Sequence, residues 1–235
     1  GVSRGLGLEI VKCLLENGTF RVYGISRTMT DELKKLLRLY EDRLMWKAFD
    51  LSNVEGIQKG LFKEFIELNT PLHGYVNNAA VAYDDIVTNL RYEPLLKMYI
   101  INVFAPMIIT KYAIRHFLLH NTTGSIVHLS SVSVHTGYKG LAMYASSKGA
   151  LEAFSKNTAR EWGERGIRSN ALVAGFMETD MSSSLSDDQK DRIYKRTSMK
   201  ISTTTKSVAA SIAFLLSEGA ESITGQNIHV DSGTI

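Results

Sequence analysis

Short apolar runs rich in β-branched residues alternate along the chain with longer stretches whose apolar residues recur at helical spacing. This alternation constrains the fold more than any single motif does. The runs Phe20–Ile25, Arg43–Phe49, Leu72–Val76, Ser125–Leu129, Ile167–Val173 and Asn227–Val230 are each bounded by polar residues or glycine and read as strands. Between them, the stretches Leu6–Asn17, Thr30–Tyr40, Asn53–Leu68, Tyr92–Leu119, Met143–Glu164 and Thr204–Glu218 read as helices. A strand–helix series of this kind predicts an α/β fold, a doubly wound parallel sheet with helices on both faces. No internal repeat or low-complexity linker interrupts it, so residues 1–235 are expected to form a single domain.

Composition removes several function classes. With 235 residues, 44% of them hydrophobic, the chain can build a core without a disulfide or metal staple. Its single cysteine, Cys13, has no partner for an intrachain disulfide, and no Cys/His cluster has zinc-ligand spacing. The expectation is a metal-free protein of a reduced, cytoplasmic setting. A net charge of +3 without a run of five or six like charges gives no case for nucleic acid. The longest apolar stretch, Met98–Thr110, contains Asn102 and Pro106 and falls well short of the roughly 20 residues a membrane span needs, so no membrane association is expected.

The segment Gly1-Val2-Ser3-Arg4-Gly5-Leu6-Gly7 has the form of a strand-to-helix phosphate loop. The N–H groups and positive dipole end of the following helix can receive a pyrophosphate, and glycine lets the backbone come close. Alone, such a turn is often only a turn. No strand precedes it to feed the turn, so the first strand is expected to be missing from this span. In a Rossmann-type sheet that strand lies in the middle, and without it two rows of backbone groups go unpaired. Several apolar residues are therefore expected upstream of Gly1.

Other residues give the turn a context. Gly24-Ile25-Ser26-Arg27 has no carboxylate where an NAD enzyme would hold the ribose 2′-hydroxyl, and has Arg27 instead, which suits a 2′-phosphate. Arg4 can add a second guanidinium; either is otherwise an ordinary solvated charge. Of the ten tyrosines only Tyr144 has a lysine four residues on, Lys148, on the same helix face. A nearby ammonium favours phenolate, so the pair can serve as general acid or base, although by spacing alone it is an ordinary surface pair. Ser131 ends a strand and faces the same carboxyl edge, where its hydroxyl can hold a carbonyl oxygen.

The glycine turn Gly1–Gly7, Asp50, Asn77-Asn78-Ala79, Asn102, Ser131, Tyr144 and Lys148 stand in the order and spacing of the short-chain dehydrogenase/reductase family, and the resemblance continues to Thr224–Asp231. The chain is most similar to the 3-oxoacyl-(acyl-carrier-protein) reductase type and its sugar- and alcohol-oxidising relatives. The resemblance implies an NAD(P)-dependent enzyme acting on CH–OH groups, with NADP(H) rather than NAD. Its implied catalytic set is Asn102, Ser131, Tyr144 and Lys148. Tyr144 would give the proton, Ser131 would hold the oxygen, Lys148 would lower the Tyr144 pKa and bind ribose, and Asn102 would hold a relay water. The implied cofactor-binding set is Gly1, Ser3, Arg4, Gly5, Leu6, Gly7, Arg27, Asp50, Leu51, Asn77, Ala79, Tyr144, Lys148, Gly175 and Thr179.

The implied substrate is a small carbonyl or alcohol, such as a 3-oxoacyl thioester or a sugar-type ketone, under a lid over about residues 176–205. His135, Tyr138 and Met181 are candidates for contacting it. The basic residues of Asp187–Lys200 are read as one face of a solvated lid helix or as a dock for an acyl-carrier protein. Apolar residues around the fourth and fifth helices imply a homodimer or homotetramer, with packing inside one subunit as the alternative. Four departures from the family pattern stand out: Ala80 for glycine, Ala174 for proline, Ser232 for glycine, and Ser202–Lys206 for a proline-containing helix start. The competing function is a cofactor-binding or regulatory protein that keeps the fold without turnover.

Overall fold

The computed structural model describes residues 1–16, 20–179 and 186–235. Its elements, in chain order, are α1 (Gly5–Glu16), β1 (Val22–Ser26), α2 (Asp31–Leu39), β2 (Leu44–Ala48), α3 (Ile57–Phe62), β3 (Gly74–Asn77), α4 (Tyr92–Tyr99) and α5 (Ala105–Leu119). They continue with β4 (Gly124–Ser131), α6 (Ser133–Thr136), α7 (Ala142–Trp162), β5 (Ile167–Ala174), α8 (Asp187–Tyr194), α9 (Thr205–Leu216) and β6 (Asn227–Val230). All six predicted strands form, and every strand pairing is parallel.

The strands fall into two groups, β1–β2 and β3–β4–β5–β6. The eight-residue β4 and β5 pair along their whole length, from Gly124 opposite Ile167 to Ser131 opposite Ala174. Both are buried almost throughout because helices cover both faces, which is why they read as near-continuous apolar runs. On one face α3 and α5 bury Ile57, Leu61, Ile109 and Phe117 against Ile126 and Ile167. On the other, α1 and α9 bury Ile10, Leu14, Val208 and Ile212 against Val127, Leu129 and Leu172. Each such side chain stabilises the fold by about 1.5–3 kcal/mol.

Between β1 and β3 lies a cavity of about 1320 Å³, walled by Val22, Tyr23 and Ile25 of β1, Tyr75 and Val76 of β3, and apolar side chains of α1 and the α3 region. Gly1–Val2 runs along the end of β1, with the Val2 N–H donating to the Ile25 carbonyl at 3.2 Å, so the glycine turn lies at the mouth of this cavity.

Two helix expectations change. Asn53–Leu68 contracts to Ile57–Phe62: Gly60 is packed so closely by Phe49 that a Cβ would lie 2.8 Å from the ring, and the chain then unwinds through Lys59–Glu64 and Leu61–Ile66 main-chain bonds. Tyr92–Leu119 is continuous but carries a π turn at Ile100–Phe104. Pro106 has no N–H, so the carbonyl of Asn102, four residues earlier, receives no bond from it. That 28-residue run is long and apolar enough to cross a membrane by length and composition alone, more than the apolar stretch counted in the sequence. Here its apolar residues Ile101, Ala105, Ile109 and Phe117 belong to the core.

Candidate active site

The carboxyl ends of the strands gather the polar groups. At the first of them, Gly5 starts α1 with φ of +53°, a conformation that favours glycine. A Cβ on Gly7 would lie 1.8 Å from the Gly1 carbonyl oxygen and one on Gly1 would lie 3.2 Å from Ala79 Cα, so the turn closes on itself only with glycine. The first turn of α1 contains no acidic side chain, leaving its N–H groups and dipole to an anion. Arg4 and Arg27 are both exposed. Thr30 Oγ1 donates to the Ser3 carbonyl at 2.6 Å, tying the loop that carries Arg27 to the turn that carries Arg4.

The rest of the expected cofactor set is placed around this turn. Thr179 faces Gly5, its Cβ 3.9 Å from where a Gly5 Cβ would sit. Asp50 is exposed after β2; the Ser52 N–H holds its carboxyl below the usual range, with Arg27 and Lys97 adding to the effect. Leu51 is buried behind it. Leu6 is half-buried and packs with the α1–α9 core. Gly175 continues from β5, its N–H donating to the Val230 carbonyl at 2.9 Å, and a Cβ there would strike Thr203 at 2.3 Å. Asn77 turns inward: it is 3% exposed and its amide lies 3.5 Å from His128 Nδ1. Asn78 is the neighbour that reaches the turn, donating to the Gly1 carbonyl at 3.1 Å; its place in a double asparagine hid which of the two faces outward.

The catalytic candidates come together on β4 and α7. Ser131, at the end of β4, accepts hydrogen bonds from the Ser133 N–H at 3.2 Å and the Ser133 hydroxyl at 3.0 Å, leaving its own proton to donate. Tyr144 and Lys148 share a face of α7, with Lys148 Nζ 5.7 Å from the Tyr144 ring centre. Nζ is buried and donates to the Leu129 carbonyl at 2.8 Å. Asn102 sits in the π turn. Its side chain bonds both the N–H and the carbonyl of Val81 at 2.9 Å and donates to Ser147 Oγ at 3.1 Å. That leaves its main-chain carbonyl as the group without a bond from Pro106.

Burial, and then the Asp84 carboxylate, push the Tyr144 phenol up to about 12, while burial brings Lys148 down to about 8. The Lys148 ammonium is directed at the Leu129 carbonyl. Asp84 was not legible in the sequence, because it stands in an aperiodic loop after β3.

The substrate candidates part company. His135 Nε2 lies 3.1 Å from the Glu152 carboxylate and its ring packs on His229 at 5.1 Å. Tyr138 lies under Arg196, whose guanidinium is 5.8 Å from the ring centre, so the loop after β4 touches the segment following α8. Met181 falls outside the described residues. The base of the expected lid closes where the Thr203 N–H donates to the Phe176 carbonyl at 3.0 Å, and Glu178 holds α8 through Tyr194 and through Lys190 at 3.5 Å. Ser232 takes φ of +56°, a left-handed conformation that explains glycine in the family pattern at that position. Among the described residues, no group of three or more His, Cys, Asp or Glu is placed to hold a metal ion.

Comparison with known proteins gives the chain its family. A family model described as enoyl-(acyl carrier protein) reductase matches residues 1–234. The 3-oxoacyl-(acyl-carrier-protein) reductase FabG of Salmonella typhimurium is 31% identical over 235 residues, 99% of this chain and 94% of that protein. The protein of the same name from Chlamydia pneumoniae is 30% identical over 234 residues, with the same coverage. Among solved structures, ElxO with NADP bound superposes with a TM-score of 0.89 at 26% identity, covering 100% of this chain and 96% of that one. A gluconate 5-dehydrogenase from Burkholderia cenocepacia shares the fold, with a TM-score of 0.91 at 22% identity, covering 100% of this chain and 92% of that one. The chain is an NAD(P)-dependent oxidoreductase fold with an intact polar edge, and it belongs to the short-chain dehydrogenase/reductase family.

Proposed function

We propose that this edge is the active site of an NADP(H)-dependent reductase that passes hydride between nicotinamide and a carbonyl or alcohol carbon, with a 3-oxoacyl thioester as the substrate class. The observation that carries the reading is Ser131 at the end of β4, its proton free to donate, beside the helix α7 that carries Tyr144 and a buried Lys148 bonded to the Leu129 carbonyl of the same strand. The glycine turn fits a dinucleotide because it packs only with glycine and presents α1 without a competing carboxylate. FabG proteins supply the substrate class by name, and ElxO supplies the cofactor.

In this reading Gly1, Ser3, Gly5, Leu6 and Gly7 hold the pyrophosphate. Arg4 and Arg27 take the 2′-phosphate, which favours NADP over NAD. Asp50 and Leu51 flank the adenine, Asn77 braces from within the strand end near the adenosine ribose, and Ala79, Gly175 and Thr179 line the path to the nicotinamide. When bound, that ring supplies or accepts the hydride. Ser131 donates to the carbonyl oxygen and fixes its position. Tyr144, kept neutral by burial, gives that oxygen its proton, a contribution of about 10²–10⁴ in rate. Lys148 would offer a further N–H to the ribose, and the Asn102 carbonyl would hold a water that returns the proton from solvent.

Residues 1–235 act as one cofactor-binding domain with a lid over about 176–205. His135, Tyr138 and Met181 border the substrate, and the basic residues of the α8 segment accept an acyl-carrier protein. The working form is a cytoplasmic homodimer or homotetramer. Titrating NADPH and NADH against nicotinamide fluorescence tests the cofactor assignment. NADPH binds at least about tenfold tighter, 1.4 kcal/mol, and Arg27→Ala removes that margin. Equal or tighter binding of NADH contradicts it, and binding of both without turnover on any carbonyl supports the non-catalytic reading.

A further inference from the structure

Glu152 stands on α7 one turn beyond Lys148, so Tyr144, Lys148 and Glu152 form one stripe of the helix. Its carboxylate is 7% exposed and is reached by three donors from three different elements. Ser130 Oγ of β4 bonds it, Asn227 Nδ2 of β6 donates at 2.7 Å, and His135 Nε2 of the loop after β4 lies at 3.1 Å. A buried carboxylate with three such partners is a satisfied polar centre, costly to perturb on either side. None of the family-pattern residues described above includes it.

Two consecutive turns of α7 therefore grip two consecutive residues of β4: Lys148 at the Leu129 carbonyl and Glu152 at the Ser130 hydroxyl. The next residue is Ser131. In the proposed function the Lys148 ammonium, with three N–H donors, would be shared between the Leu129 carbonyl and the ribose, so Glu152 is the polar link from α7 to the end of β4 on which the cofactor would not draw. The same carboxylate, through His135, pins the loop 132–141 that also carries Tyr138. We propose that Glu152 is a positioning residue: with Ser130, His135 and Asn227 it sets the seat of Ser131 and the substrate-facing loop while Lys148 is engaged by cofactor. This inference rests on the proposed function for its kinetic consequence, and on the hydrogen bonds alone for its structural one.

Glu152→Gln tests it, because the amide keeps the size but presents a donor to one of three donors. Hydrogen exchange reads the structural part without any substrate: the Ser133, His135 and Thr136 amides, which bond Ser131 Oγ and the Val132 carbonyl, exchange about tenfold faster or more, while β1 is unchanged. The kinetic part is a rise of about tenfold in KM for the carbonyl substrate, with NADPH affinity held within about twofold. His135→Ala reproduces part of both effects, and His135→Gln, which restores a donor of similar reach, rescues them. If Glu152→Gln fails to fold, the His135 pair carries the test by itself. Unchanged exchange over 131–136 overturns the inference whatever the kinetics. Faster exchange with an unchanged KM reduces Glu152 to a purely structural role and overturns it too. A wild-type protein without turnover on carbonyls defeats the proposed function, while the exchange arm still decides the positioning.

Discussion

The two ends of the glycine turn face opposite kinds of interior. Towards the carboxyl edge lie Ser131, Tyr144 and Lys148 on β4 and α7, where Ser131 accepts from the Ser133 hydroxyl and Lys148 donates to the Leu129 carbonyl. Beneath the turn lies the cavity between β1 and β3, where apolar side chains surround two strand edges that are not paired to each other. Buried polar groups are expensive unless partnered, so the first region shows where the protein has invested in chemistry. The second shows where it depends on apolar packing. Changes at the edge should therefore alter rates and leave stability near its starting value, and changes at the cavity should do the reverse.

The largest expected effect is at the edge. Tyr144→Phe removes the proton donor and lowers kcat/KM for carbonyl reduction by about 10³-fold; NADPH affinity and Tm stay close to wild type, and steady-state kinetics beside a cofactor titration checks both. A variant retaining full turnover would take Tyr144 out of the mechanism. Next comes the cavity. Ile10 lines it from α1 and is 4% exposed, so Ile10→Ala should destabilise the protein by about 2–5 kcal/mol and leave kcat/KM close to wild type, as denaturant unfolding beside steady-state kinetics would show. An unchanged unfolding midpoint would break the contrast.

The motif residues were legible because they depend on local spacing: Tyr144 and Lys148 are four apart on one helix, and Ser131 ends a strand. The electrostatics were not legible. The Tyr144 phenol is pushed up by burial and by Asp84, which is brought near by a loop without periodicity. Glu152 was equally hidden, because its three donors lie 22, 17 and 75 residues away in sequence. The shortened α3 carries Gly60 packed against Phe49, and glycine is itself a weak helix former.

Two smaller effects sharpen the contrast. With Lys148 at about 8 and Tyr144 at about 12, kcat/KM for reduction should fall above about pH 8, as Lys148 loses the proton it needs to relay, by about tenfold per unit. The sign follows from the chemistry: Tyr144 stays protonated across that range, so only Lys148 changes charge. A profile flat to pH 10 would place the controlling group elsewhere. Ser232→Gly relieves a side chain held at φ of +56° and should stabilise the protein by about 1 kcal/mol, read as a shift in denaturant midpoint. Turnover should be unaffected, because the strain lies in the backbone after β6.

The measurement that tests the central claim most directly is NADPH consumption by the wild-type protein with three additions: a 3-oxoacyl thioester, the corresponding enoyl thioester, and buffer. Ser131 and Tyr144 are arranged to hold and protonate an oxygen, so the account predicts turnover with the 3-oxoacyl compound and none above background with the other two. Turnover confined to the enoyl thioester, or NADPH binding without consumption on any carbonyl, would contradict it.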